Sequence, residues 1–236
     1  MRFTDRNVLV AGGTGALGQA ISLAFLAEGA RVTVAGRRAS EADGLARAAG
    51  NARDHLVFVS ADVADPAQAA HAVAEAARGG SLDAVVNAVG AWAGGSPVYE
   101  EAPETLARMI AANLAPGHAL LRAALPPMIR QGGGVIVEVA SLAAVGAQPG
   151  QASYAASKAA VVALFLAAAD EARGRGVRVN VVLPGTMDTP ANRVAMPDAD
   201  RRGWARTEDV AAAILFLCSD AARAVTGAAI PIRGAG

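Results

Sequence analysis

The sequence predicts a doubly wound α/β sheet, with seven parallel strands and helices on both faces, in a single domain spanning residues 1–236. Three observations carry this expectation. Short β-branched runs alternate with Ala/Leu-rich helical segments, the pattern of repeated strand–helix–strand units. Several strand candidates are apolar throughout rather than alternating, as happens when both faces of a parallel sheet are covered. The first strand runs directly into a glycine-rich turn that opens a helix.

Taken in order, strands are expected at 7–11, 31–35, 56–60, 84–87, 135–140, 177–183 and 228–232, each a short Val/Ile/Leu/Ala-rich run. Helical patterns fall between them at 16–28, 41–49, 66–78, 104–130, 152–173 and 207–219. The segment 152–173 is apolar around most of its circumference, so it should be buried. No internal repeat, low-complexity tail or linker interrupts the alternation. The one long irregular stretch is 184–206, and a loop of that length in a compact domain is usually functional, often a lid.

Composition narrows the function classes. The chain is 53% apolar, 18% charged and 4% aromatic with a net charge of zero, which argues against nucleic acid or an anionic membrane as the main partner. The apolar excess points to surface hidden in a homo-oligomer. The single cysteine, Cys218, sits in an apolar run and reads as a core thiol, which fits a reducing, cytoplasmic compartment. The N-terminus has no signal-peptide h-region, and Lys158 and Asp170 bound the longest apolar run, so no membrane span is expected. His55, His71 and His118 are scattered and share no motif at metal-ligand spacing.

The turn after the first strand reads Gly12-Gly13-Thr14-Gly15-Ala16-Leu17-Gly18. Gly13-x-Gly15-x-x-Gly18 satisfies the dinucleotide fingerprint of a Rossmann fold in its strand–turn–helix setting. Glycines there permit the tight turn and let backbone N–H groups reach a pyrophosphate at the helix N-terminus. An NAD site wants a carboxylate at the end of the second strand, whereas here that strand ends in Arg37-Arg38 and the first acid beyond is Glu41. Two guanidiniums in that place favour a 2′-phosphate, so NADP(H) is expected over NAD(H), with Arg37 the better candidate. Asp62-Val63, after the third strand, meets the adenine edge or caps the helix that follows Asp65-Pro66.

The chemical end is carried by Tyr154-x-x-x-Lys158 at the start of a helix, a spacing that puts phenol and ammonium on one face. An ammonium about 4 Å away contributes roughly 4 kcal/mol at an effective dielectric of about 20, enough to lower a phenol pKa by up to about three units. That would bring Tyr154 toward the range where proton transfer is efficient. The fifth strand ends at Ser141, and ligands of open α/β sheets bind outside the carboxyl ends of the strands, so Ser141 and Tyr154 can meet there.

At these residues the chain resembles the short-chain dehydrogenase/reductase family, and the resemblance covers nearly its whole length. The matching residues are the Gly12–Gly18 turn, Asn87-Ala88-Val89-Gly90, Asn113, Ser141, Tyr154-x-x-x-Lys158, Pro184-Gly185 and Thr189. The resemblance implies that Tyr154 is the general acid in reduction, that Ser141 orients the carbonyl, and that Lys158 holds the nicotinamide ribose and lowers the Tyr154 pKa. It further implies that Asn113 supports a proton-relay water, and that Pro184, Gly185, Thr186 and Thr189 lie toward the nicotinamide and its carboxamide. Two departures stand out: Ala11 and Ala16 replace the usual threonine and middle glycine of the first motif, and the usual Asn-Asn-Ala-Gly reads Val86-Asn87-Ala88-Val89-Gly90. The loops around Trp92 and through Asp188–Trp204 are similar to the quinonoid dihydropteridine reductase branch, which lacks the catalytic serine present here. Trp92 and Trp204 either stack on a flat substrate or pack their loops.

The function implied is NADPH-dependent reduction of a carbonyl compound, a ketone or 3-oxoacyl type. The alternatives are a reductase of a quinonoid dihydropterin or quinone and, from another class, a non-catalytic NADP(H)-binding sensor. The partners implied are a small-molecule substrate and a second copy of the chain, in a homodimer or homotetramer.

Overall fold

The structure is a computed structural model in which residues 1–234 are described. In chain order the first half comprises β1 (Asn7–Ala11), α1 (Ala16–Ala27), β2 (Arg31–Gly36), α2 (Ala42–Ala49), β3 (Leu56–Ser60), α3 (Pro66–Ala76) and β4 (Ala84–Asn87). The second half comprises α4 (Thr105–Asn113), α5 (Ala115–Gln131), β5 (Gly134–Val139), α6 (Ala152–Glu171), β6 (Val177–Pro184), β7 (Met187–Asp188), α7 (Pro190–Ala195), β8 (Ala205–Arg206), α8 (Thr207–Cys218) and β9 (Ala229–Ile232). Seven strands form one parallel sheet in the order β3-β2-β1-β4-β5-β6-β9. The chain reverses direction across the sheet between β1 and β4, which opens a crevice at their carboxyl ends.

Alternation along β1 sorts the core. Val8 and Val10 point to one face with Ile21, Phe25, Leu45 and Ile214, from helices α1, α2 and α8. Leu9 and Ala11 point to the other with Val73, Leu120 and Phe165, from helices α3, α5 and α6. Both faces are covered, which is why the strands read as continuous apolar runs. Helix α6, 20 residues with mean hydropathy 1.6, is long and apolar enough to cross a membrane by length and composition. Here it lies against β6 and α4, with Val161, Phe165 and Ala169 buried, and its hydropathy is that of a core helix.

Two expectations are corrected. The single helix expected at 104–130 is two, broken at Leu114, because Pro116 lacks the N–H that a continuous ladder would need. The stretch 184–206 is not irregular throughout. Its ends pair as the short parallel ladder β7–β8, Met187 opposite Ala205 and Asp188 opposite Arg206, with α7 between them. Thr189 caps α7, its hydroxyl oxygen accepting from the Asn192 N–H at 3.2 Å.

Candidate active site

The crevice is built from three strand ends. Gly12 donates its N–H to the Ala35 carbonyl, and Ala88 donates to the Ala11 carbonyl, which locks the first turn against the β4 turn. Gly12 has φ +74°, and a Cβ there would lie 3.0 Å from the Ala88 carbonyl carbon and the Val89 nitrogen. Gly18 is tighter still, since a Cβ would lie 2.1 Å from the Gly12 carbonyl oxygen. Gly13 faces Val34, with Cβ-to-methyl distances of 2.7 and 2.9 Å. Gly15 has only the Gly12 oxygen nearby, at 3.5 Å, so it opens the turn rather than being compelled by packing. It also serves as the N-cap of α1, where no side chain caps the helix and no acid occupies the first turn. Helix N-terminal donors and the positive end of the dipole therefore face the turn, and the residues present fit a dinucleotide pyrophosphate.

At the end of β2 the expected pair of guanidiniums is modified by a carboxylate. Glu41 folds back so that Oε2 accepts from the Thr14 hydroxyl at 2.8 Å while Oε1 is bridged by the Arg38 guanidinium. Arg38 thus spends its charge on Glu41, and Arg37 is exposed and makes no ion pair among the described residues. The Arg38 and Thr14 hydrogen bonds hold the Glu41 carboxyl below its usual range. On β3's exit, the helix cap is Asp65, which accepts from Ala67 and Gln68, while Asp62 turns onto the Ala64 N–H and Val63 is buried.

The chemical residues converge at β4 and β5. Asn87 is buried, its Oδ1 accepting from the Val89 N–H at 3.2 Å and its Nδ2 donating to Glu138 Oε2 at 2.8 Å. Asn113, at the end of α4, is fully buried. It accepts from the Ala91 N–H at 2.8 Å and donates to the Ser157 hydroxyl at 2.9 Å, tying the β4 turn to α6. Lys158 is 4% exposed and donates from Nζ to the Val139 carbonyl at 2.9 Å. Gly90 fits between these groups only because it lacks a side chain: its Cβ would sit 2.9 Å from Asn113 Oδ1 and 3.2 Å from Lys158 Nζ. Ser141 caps the turn after β5, accepting from Ala143 N–H, and its hydroxyl favours the ionised form of the Tyr154 phenol.

The expected depression of the Tyr154 pKa is not what the structure gives. Burial pushes the phenol above its ordinary value of 10.0, opposed only by the Ser141 hydrogen bond. The Lys158 ammonium is directed at the Val139 carbonyl, and its burial, which the charge of Glu138 opposes, draws its pKa down. The i,i+4 spacing places two side chains on one face but does not say which way a long ammonium arm turns.

An apolar hollow lies between the loop after β4 and the segment before α6. The Gly95 N–H donates to the Gly150 carbonyl at 2.8 Å, and Ser153 donates to Glu101, so the loop after β4 is fastened to the start of α6. Between these segments lies a cavity of about 510 Å³ lined by Pro97, Val98, Tyr99, Pro149 and Ala152 among others. Trp92, 60% exposed, stands on the same loop. Trp204 is half-buried, with its main chain against Gly234. Thr186 is exposed just past Pro184 and Gly185, and the Thr189 hydroxyl is occupied as a helix cap. A cavity of about 440 Å³ at the amino ends of the strands, among Arg6, Asp83 and Arg178, lies at the opposite edge of the sheet from these residues. Sequence reading misses Glu138 and the pairing of Glu41 with Arg38 and Thr14; a lone acid inside the Val135–Ala140 run is the available signal for the first.

Known proteins agree with this geometry. The sequence profile of the short chain dehydrogenase family matches residues 6–200. The chain is 34% identical over 242 residues to 2,5-dichloro-2,5-cyclohexadiene-1,4-diol dehydrogenase from Sphingobium indicum, covering 99% of this chain and 96% of the relative. It is 32% identical over 243 residues to a 3-oxoacyl-acyl-carrier-protein reductase from Thermotoga maritima, covering 99% of this chain and 98% of the relative. A short-chain type dehydrogenase/reductase structure from Mycobacterium ulcerans superposes with TM-score 0.92 at 29% identity, covering 98% of this chain and 90% of that one. The chain belongs to the short-chain dehydrogenase family, NAD(P)-dependent oxidoreductases that interconvert CH–OH and C=O groups of small molecules.

Proposed function

We propose that this protein is an NADPH-dependent reductase of a ketone or 3-oxoacyl-type carbonyl. The observation that carries the reading is the convergence of Ser141, Tyr154, Lys158 and Asn113 beside the Gly12–Gly18 turn, at the carboxyl ends of adjacent strands. A bound nicotinamide would supply the hydride for the new C–H bond. The Ser141 hydroxyl donates to the carbonyl oxygen and polarises it, and the Tyr154 O–H delivers the proton that completes the alcohol. A buried phenol that holds its proton tightly at neutral pH suits an acid in the reductive direction. Lys158, whose Nζ donates to the Val139 carbonyl, would hold the ribose hydroxyls of the cofactor, and Asn113 ties the β4 turn to α6 beside it.

The preference for NADPH rests on Arg37, whose guanidinium makes no ion pair among the described residues, whereas Arg38 and Glu41 neutralise each other. The apolar cavity beside Trp92 supports a substrate with a hydrophobic body. A homodimer or homotetramer is supported by the exposed alanines of α6, at 156, 159, 163 and 167, which leave a flat face for a second helix. The test is oxidation of NADPH and NADH, side by side, with a panel of ketones, 3-oxoacyl esters, diketones, quinones and a quinonoid dihydropterin. Carbonyl turnover that prefers NADPH is the expected result. Turnover confined to the pterin or quinones would overturn the assignment of Ser141, and tight binding without turnover would make the protein a sensor.

A further inference from the structure

Glu41 closes a short turn, Ala39–Glu41, between β2 and α2, and its N–H donates to the Arg38 carbonyl at 3.2 Å. Its side chain ties the end of β2 to the first glycine turn. Oε2 accepts from the Thr14 hydroxyl at 2.8 Å, and Oε1 accepts from Arg38 Nε at 2.6 Å and from a terminal nitrogen of the same guanidinium. Thr14 is itself held in place, since the Gln19 side-chain amide donates to its carbonyl at 2.8 Å. A Cβ at Gly36 would lie 3.3 Å from the Thr14 hydroxyl oxygen, so the bare glycine gives that hydroxyl, and the carboxyl it holds, room beside the last residue of β2. In a Rossmann sheet this place, at the end of the second strand and next to the glycine turn, is where the 2′ substituent of the adenosine ribose is read.

An anion of the chain's own therefore stands at that place. The Arg38 and Thr14 hydrogen bonds keep the carboxyl ionised through neutral pH. The pair uses the guanidinium fork that a phosphate would use, and a second anion brought beside the carboxylate is repelled. The clasp can also open: the Glu41 side chain is 32% exposed and that of Arg38 73%, so both can turn into water without disturbing the core. We infer that Glu41 is a specificity-determining residue of the cofactor site: its carboxylate holds Arg38 and Thr14 as an internal surrogate for the 2′-phosphate, which must displace it for NADP(H) to seat, whereas NAD(H), with a hydroxyl there, leaves the clasp closed. The inference rests on the end of β2 being the 2′ position of the cofactor site, and it adds the competitor that Arg37 meets there. The ratio between the two cofactors then depends on the Glu41–Arg38 clasp as well as on Arg37.

The adenosine end is read without turnover by calorimetric titration of adenosine 2′,5′-bisphosphate and adenosine 5′-monophosphate into the full chain. Glu41→Gln removes the negative charge and frees Arg38. The bisphosphate should then bind about tenfold more tightly, the worth of one charge-assisted hydrogen bond, while the monophosphate changes by less than about threefold. Glu41→Ala gives the same split and carries the test if the Gln variant does not fold. The second readout is coupling: Arg38→Ala should weaken the bisphosphate about fivefold more in the Glu41→Gln background than in the parent, because only there does the guanidinium meet phosphate without an exchange. Affinities for the two fragments that rise together, fall together or stay unchanged in the Glu41 variants would overturn the inference, since a merely structural carboxyl moves both alike. A parent that prefers the monophosphate would contradict the NADPH preference assigned to Arg37, while a selective gain for the bisphosphate in Glu41→Gln would still support the exchange, so the two failures are distinguishable.

Discussion

Arg37→Ala separates the two cofactors. The Arg37 guanidinium lies at the end of β2, exposed and without an ion pair among the described residues, while Arg38 is bridged by Glu41 and Glu41 is also held by Thr14. Only Arg37 can therefore meet a 2′-phosphate without first breaking a contact. A hydrogen bond to a charged group contributes about 1.5–3 kcal/mol, and each 1.4 kcal/mol is tenfold, so the variant should lose roughly 10- to 100-fold in kcat/KM for NADPH. NADH has no phosphate at that position and should change by less than about twofold. Arg38→Ala should cost NADPH less, because its charge is already engaged and the side chain is 73% exposed. The assay is kcat/KM for both cofactors at one saturating carbonyl substrate and fixed ionic strength. An equal loss with NADPH and NADH, or none, refutes the reasoning and returns the 2′ position to Glu41.

Gly18→Ala places a Cβ 2.1 Å from the Gly12 oxygen, and an overpacked backbone contact of that kind should cost about 3 kcal/mol, a Tm drop of roughly 6–12 °C. Gly15→Ala meets nothing closer than 3.5 Å and should melt like the parent while weakening cofactor binding, measured by fluorescence titration. Asn113→Ala removes the acceptor of Ala91 N–H and the donor to Ser157, which should lower stability by about 1–3 kcal/mol in denaturant melts and lower turnover with it. A spectrophotometric titration of the ligand-free chain should show Tyr154 ionising above the ordinary value of 10.0, so the acid O–H is present through neutral pH and is lost only as pH rises past that raised value. An ionisation near neutrality that disappears in Tyr154→Phe would contradict it.

The fold was legible because its signals are local. Apolar runs such as Asn7–Ala11 mark strands covered on both faces, and the Gly12–Gly18 turn announces where the first strand ends. The four-residue spacing of Tyr154 and Lys158 put both on α6. What escaped was decided by contacts distant in sequence. Glu41 reaches Thr14 across 27 residues, and Glu138 meets Asn87 across 51, so neither pairing has a periodicity to betray it. The direction of the Tyr154 shift departs from the expectation because a pairwise charge estimate omits desolvation, and here burial raises the phenol while the ammonium is turned to Val139. The break at Leu114 and the β7–β8 ladder likewise depend on Pro116 and on residues 18 apart closing a loop.

The most direct test of the central claim is Tyr154→Phe, which deletes one oxygen. General acid catalysis contributes about 10²–10⁴-fold, so turnover of the best carbonyl substrate should fall by that factor while NADPH affinity stays within about twofold of the parent. Turnover equal to the parent would mean that another group delivers the proton, and the mechanism assigned to Tyr154 would be wrong.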